Sequence, residues 1–511
     1  GSESTPHSSE ATDPPCVAHW GIGMAMRGYE GMGSFHSARV SALLQHMVQE
    51  RGAPSTPSWI PAVLQSLMPK RSSPQGPFIT PHSAAAQSLF SVDMESWTFL
   101  NHGAFGAALR PASELQSALR THMEAQPLRF MDRELMPLLA EATWTLAMLV
   151  GCTQDPAGVV PMPHATAGLN AAIAHVARKQ QMKVRPGLVL LTDLAYGAVK
   201  KMVAVRGMRH RLLPVPLPVY REEDWVGVFR QELERIRDEG DQLDLLILDH
   251  ITSNTALRVP VELIASLCRD VLGPEPLILV DGAHSIGNLP LTLQHMDVDF
   301  YAGNCHKWLC APKGSGFLYC SPRVQAEIQP LSISHGAEDS FVDRFVWDGC
   351  RDYSPTCVLP VVHALWEEMF GGLAQVARMN DQLRVQACSL LAQEWGLGDS
   401  DLVQRHLAPV NSSMAPPGMF CVRLPTKLCQ SLLRLTEEPS TGQCTSTHAK
   451  IVQDLLFHRH RVEVPVKCLQ GHLFVRISCH VYNQLPQYER LAHCILQIQD
   501  QASSDPTFLQ N

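Results

Sequence analysis

From about residue 99 to residue 320, short apolar runs alternate with stretches that place apolar residues at helical spacing. Strands are predicted at 159–160, 188–192, 212–219, 245–248, 277–280 and 299–302, with helices over 171–179, 199–206, 224–238 and 261–271 between them. A last strand begins at Gly314 and can return antiparallel. Upstream, helices are predicted over 112–125 and 134–150, the second with Leu138, Leu139, Ala142, Leu146 and Leu149 on one face. Strands that alternate with helices in this way predict an α/β fold, with a mostly parallel central sheet and helices on both faces. From about Pro355 the pattern changes. Helices over 361–370 and 373–394 lead into strands at 419–424, 461–466 and 473–478 and a final helix over 485–499, which reads as a smaller α+β region. The expected organisation is an extension over 1–92, a large domain over 93–354, a small C-terminal domain over 355–500 and a tail over 501–511.

Composition narrows the partners. Residues 1–92 are rich in Ser, Pro, Gly and His, with one helix-like stretch at 37–50; a presequence, a linker and a flexible extension all fit. A formal charge of −8 over 511 residues gives no reason to expect nucleic acid or an anionic membrane surface. No apolar run reaches the length of a membrane-spanning helix. The fifteen cysteines are scattered without a C-x-x-C pair, a pattern of reduced thiols rather than of a disulfide framework or a zinc site, so no metal is expected. Cytoplasmic and organellar locations both remain open.

Two of the runs end on chemistry. Leu277-Ile278-Leu279-Val280 stops on Asp281, followed by Gly282, Ala283 and His284, and the next run leads to Lys307, 26 residues after Asp281. Buried strands of an open α/β sheet deliver such side chains to the carboxyl edge, where ligands bind. A carboxylate and a lysine at neighbouring strand ends suit pyridoxal phosphate: the lysine forms a Schiff base with the aldehyde, and the acid keeps the pyridine nitrogen protonated. Upstream, the strand at Val159-Val160 runs through Ala165-Thr166-Ala167-Gly168 into a helix. That arrangement can seat an anion on the helix N-terminus, with Thr166 supplying a hydroxyl.

Six motifs in order extend the reading. They are Asn101-His102-Gly103 with Phe105-Gly106; Ala165-Thr166 with Gly168-Leu169-Asn170; Asp281-Gly282-Ala283-His284; Gly303-Asn304 with His306-Lys307-Trp308; Ala311-Pro312-Lys313-Gly314; and Val475-Arg476-Ile477-Ser478 with Tyr482-Asn483. With them, the chain from about Asn101 to Gln499 resembles the class V aminotransferase-like, fold-type I pyridoxal phosphate enzymes, and within these the isopenicillin N epimerase-like group, which includes the hercynylcysteine sulfoxide lyases. The resemblance implies that Lys307 is the Schiff-base lysine and the proton shuttle at Cα, and that Asp281 pairs with the pyridinium nitrogen. It also implies that His284, with Ser253, reaches the cofactor's phenolic oxygen, that Tyr196 stacks on the ring, and that Ala165, Thr166 and His306 hold the phosphate. Arg476 would grip the substrate carboxylate, a task suited to its planar fork, and His102 would contact substrate. A homodimer is implied as well. Two positions depart from the family pattern: His164 stands where asparagine is frequent, and Cys350 stands where a threonine hydroxyl reaches the phosphate across the dimer interface.

These readings point to an enzyme acting at Cα or Cβ of an amino acid or amino-acid conjugate. C–S cleavage of a cysteine sulfoxide type of substrate ranks first, with epimerisation and transamination as alternatives. Desulfuration would need a mobile thiol before the Arg476 strand, where only Cys468 is placed, without a glycine-rich loop to carry it. A non-catalytic scaffold with the same fold would have no need of Lys307, Asp281 and Arg476 together.

Overall fold

The computed structural model describes residues 38–51, 79–397, 406–435 and 442–505. Twelve strands occur among them, labelled in chain order: β1 (Thr98–Phe99), β2 (Val159–Met162), β3 (Leu188–Thr192), β4 (His210–Leu213), β5 (Leu243–Asp249), β6 (Leu277–Gly282), β7 (Phe300–Asn304), β8 (Gly316–Cys320), β9 (Met419–Arg423), β10 (Val462–Glu463), β11 (Val466–Leu469) and β12 (His472–Ser478). Seven of them form the central sheet in the order β2-β8-β7-β6-β5-β3-β4. Only β8 runs antiparallel to its neighbours, as the glycine-led run at Gly314 allows. The fold is therefore the expected α/β architecture with a mostly parallel sheet.

The central strands β3, β5, β6 and β7 are buried along their whole length, which is why their middles read as apolar runs; Asp244, near the start of β5, is buried with Lys183 and the Gly187 N–H as partners. Edge strand β4 is half exposed and ends at Leu213, short of the predicted residue 219. Pro214, Pro216 and Pro218 follow, and each lacks the N–H that a ladder needs. The helix Ala165–Gln181 starts six residues before its predicted first turn. Gly168, read as a turn residue, lies within it and makes room for the sheet: a Cβ there would sit 3.1 Å from the Ala302 Cβ.

A second, three-stranded antiparallel sheet, β11-β12-β9, builds a smaller core with the helices Leu373–Glu394, Thr426–Leu435, Ser446–His460 and Leu485–Ser504. The chain crosses between the two cores more than once. Helix Leu359–Phe370 packs in the larger core, where Trp366 Nε1 donates to Leu309 O at 2.8 Å. Leu100, just after β1, packs in the smaller one, and β1 pairs with β10. Helix Ala38–Arg51, within the stretch read as an extension, buries Val40, Leu44 and Met47, and its Ser41 N–H donates to Asp343 Oδ1 at 3.3 Å. All fourteen described cysteines are free. No described helix is long and apolar enough to cross a membrane.

Candidate active site

The carboxyl ends of β5, β6 and β7 and the N-terminus of helix Ala165–Gln181 open on one cavity of about 310 Å³. Its wall includes nine of the ten residues singled out from the sequence: Ala165, Thr166, Tyr196, Ser253, Asp281, His284, His306, Lys307 and Arg476. The tenth, His102, is not brought there. Its buried ring lies behind the lysine segment, with Nε2 3.0 Å from the Lys307 carbonyl and Nδ1 2.8 Å from the Tyr482 hydroxyl. His102 is not among the residues that line this cavity; its ring braces the backbone that carries Lys307.

That backbone is held from a second side. Gly106, with φ +69°, passes so close that a Cβ there would sit 1.9 Å from the His306 carbonyl oxygen. Lys307 Nζ then stands 3.2 Å from His284 Nε2, and the other ring nitrogen of His284 accepts from Trp308 Nε1 at 3.3 Å. A bare Nδ1 places the His284 proton on Nε2, facing Lys307, and such a donor matches a neutral amine. Burial lowers the Lys307 pKa to about 8; the Asp281 charge works against this and the Arg476 charge adds to it. Burial also holds His284 well below the ordinary histidine value, so its ring is uncharged.

Asp281 and Asp249 are register partners on adjacent strands, so two carboxyls lie side by side under the cavity. Burial pushes Asp249 well above the usual carboxylate range, and the Asp281 charge pushes it further. Asp281 is raised by burial too, but the Ala283 N–H, 3.0 Å from Oδ1, and the Lys307 charge favour its ionised form. Of the pair, Asp281 is the one placed to carry the negative charge. Asp249 also lines the cavity and had not been singled out. Its signal was present, since it ends the run Leu245–Leu248 just as Asp281 ends its own.

At the helix N-terminus, His164 is the cap: its Nδ1 accepts from Ala167 N at 3.1 Å, and Ala165 N donates to Asn304 Oδ1 at 2.8 Å. Thr166 is exposed on the cavity wall in this first turn, where the helix dipole favours an anion. His306 Nδ1 donates to Ser315 O at 3.0 Å, and burial lowers its pKa to about 4. Tyr196, 47 % exposed, precedes helix Gly197–Val205 at the rim. Cys350 is exposed. Arg476 is buried, and its guanidinium donates to Ser253 O and, at 3.3 Å, to Asn101 Oδ1. Among the described residues its buried Nε has no partner.

The set fits pyridoxal phosphate. A lysine with a depressed pKa, a buried carboxylate on the next strand, a helix N-terminus for the phosphate and a buried guanidinium with a vacant donor meet in one cavity.

The family model for class V aminotransferases matches residues 227–349. A probable chloroplastic L-cysteine desulfhydrase of Arabidopsis thaliana is 25 % identical over 434 residues, covering 81 % of this chain and 85 % of the relative. Isopenicillin N epimerase of Streptomyces clavuligerus is 29 % identical over 417 residues, covering 78 % of this chain and 93 % of the relative. Among solved structures, the cystine C–S lyase C-DES in complex with cysteine persulfide superposes with a TM-score of 0.60 at 20 % identity, over 79 % of this chain and 97 % of that one, which shows a shared fold. With the site geometry, these likenesses support a pyridoxal phosphate-dependent enzyme that is similar to the class V aminotransferases and shares the fold of the solved relatives.

Proposed function

We propose that the cavity works at Cα and Cβ of an amino acid or amino-acid conjugate, and that its reaction is a C–S bond cleavage. The observation that carries this reading is the meeting of Lys307, Asp281 and a buried Arg476 that has no acidic partner among the described residues, in a cavity whose described wall bears no thiol. When bound, pyridoxal phosphate supplies an electron sink for charge developing at the substrate Cα.

The residues divide the work. Thr166 and the first turn of helix Ala165–Gln181 receive the phosphate, with Ala165 and His306 beside them. Asp281 faces the pyridine nitrogen as an anion, and Tyr196 covers the ring. His284 turns its Nε2–H toward the phenolic oxygen, next to Ser253. Arg476 binds the α-carboxylate through its vacant Nε. Lys307, neutral for a useful fraction of the time, would hold the cofactor and is the base placed to take the Cα proton. Loss of a Cβ–sulfur bond then completes elimination.

Desulfuration is the weaker reading on geometric grounds. Cys468 lies on β11, next to the cavity-lining Lys467, so its side chain leaves the opposite face of the strand. Its thiol donates to Cys444 O at 3.0 Å. Sulfur therefore leaves as a free small molecule rather than on a protein thiol. The likeness to proteins named L-cysteine desulfhydrase supports the same outcome.

The assay is release of sulfide from cysteine, of the free thiol from its S-conjugates, or of sulfenate from their sulfoxides, in each case together with pyruvate and ammonia. Stoichiometric release supports lyase chemistry. Inversion at Cα or transfer of the amino group without release would replace it.

The lysine also sets a pH dependence. Its neutral form grows nearly tenfold per pH unit below about 8, then at most doubles and levels off by about pH 9. Cofactor uptake by the apo-protein should therefore speed up through that range and level off. A rate still climbing tenfold per pH unit above pH 9 would mean that Lys307 keeps an ordinary lysine pKa.

A further inference from the structure

Lys467 is a second cation on the cavity wall, and the reaction described above gives it no task. It lies on β11 directly opposite Phe474 of β12, so its side chain leaves the same sheet face as Phe474 and, two residues on, Arg476. Both cations reach the same cavity from one face of the small sheet. Among the described residues Lys467 forms no ion pair, and Arg476 bonds only to a carbonyl and an amide oxygen. Burial, followed by the Arg476 charge, lowers the Lys467 pKa, so the two cations feel each other.

The nearby groups do not neutralise them. Cys421, register partner of Arg476 on β9, donates its thiol to Asn254 O at 3.5 Å; burial pushes its pKa up to about 12, and it stays uncharged. Asp281 spends its charge on Lys307. Two like charges sharing a partly buried wall without a counter-anion are unfavourable in the empty protein. Such an arrangement is suited to a ligand that brings both negative charges.

The α-carboxylate brings only one, and the fork of Arg476 is suited to it. We propose that the substrate is an amino acid whose side chain ends in an anionic oxyacid group, a carboxylate, sulfinate or sulfonate, and that Lys467 receives that group. This rests on the reading of Arg476 as the α-carboxylate site, and it makes Lys467 the residue that selects the side chain. Plain cysteine leaves Lys467 without a partner and is the poorer substrate.

The test uses the full chain loaded with pyridoxal phosphate and two ligand pairs of matched shape. These are S-carboxymethyl-L-cysteine against S-carbamoylmethyl-L-cysteine, and L-glutamate against L-glutamine. Binding is read from the change in cofactor absorbance, and kcat/KM is measured wherever turnover occurs. The wild type should prefer the anionic member of each pair by about ten- to a hundredfold, the effect of one charge-assisted hydrogen bond. Lys467→Gln should bring that ratio to within about twofold of unity, Lys467→Glu should invert it, and Lys467→Arg should keep most of it. Cofactor absorbance in each variant checks that the site is intact. A wild type that binds amino acids without a charge preference overturns the assignment alone. So does a Lys467→Gln variant that weakens both members equally, because Lys467 would then share the α-carboxylate. If no amino acid alters the cofactor absorbance, the amino-acid reading falls and this assignment falls with it.

Discussion

Lys307→Ala should lose the long-wavelength absorption that lysine-bound pyridoxal phosphate gives, and turnover should fall by roughly 10³-fold or more. Two proposed roles would end at once, since in this reading the same Nζ anchors the cofactor and takes the proton from Cα. His284 cannot replace it: burial holds that ring neutral, and its proton is directed at the position Nζ vacates. The variant should still fold, because the Lys307 side chain makes a single hydrogen bond and the segment is braced through its backbone by His102 and Gly106. It should also still retain cofactor, now without the covalent bond, through Asp281 and the helix N-terminus. Absorbance, cofactor content after desalting and sulfide release separate these effects. Turnover within tenfold of the wild type would remove Lys307 from the chemistry.

Arg476→Met should lower kcat/KM for amino acids by about 10²–10³-fold, the cost of losing one partner of a buried, hydrogen-bonded charge pair. The absorption of the bound cofactor should persist. The same substitution should leave the ligand-free protein as stable as before, or more so. Holding a guanidinium out of water costs several kcal/mol, and here no carboxylate offsets it. Against that gain stand two acceptors left without a donor, Ser253 O and Asn101 Oδ1, at about 1–3 kcal/mol each. Asn101 keeps its second tie, from Nδ2 to Glu463 at 2.8 Å. Urea unfolding of the apo-protein measures the balance. A loss above about 2 kcal/mol would show that Arg476 is chiefly a structural tie. A stable variant with impaired substrate binding would show a residue kept for function at some cost in stability.

Local patterns carried a large part of this protein. Apolar runs of strand length, each ending in a polar residue, were enough for the parallel sheet, because a strand buried on both faces can be written in no other way. The same endings placed Asp281 and Lys307 at one sheet edge, and the motifs around them carried the family resemblance. Where local signals misled, packing had overruled them. Gly168 reads as a turn but lies inside a helix, where the close approach of the sheet leaves little room for a side chain. The prolines after Leu213 cut an apolar stretch short of a strand.

Other features depend on residues far apart in sequence. His102 carries a site-like motif, yet a side chain's direction depends on what it packs against, and contacts with Lys307 and Tyr482, 205 and 380 residues away, draw it behind the cavity. The pairing of Asp249 with Asp281 needed the strand order, and with it came the decision as to which carboxyl keeps its charge. Lys467 belongs to the smaller sheet, and only the docking of that sheet against the larger one brings it, with Arg476, to the cavity. The sequence by itself determined the sheet, the family resemblance and the placing of Asp281 and Lys307 at one sheet edge, because those are written in runs and spacings. The tertiary structure alone decided which side chains face the cavity and which charges there lack a partner, because facing and pairing arise only where distant segments meet.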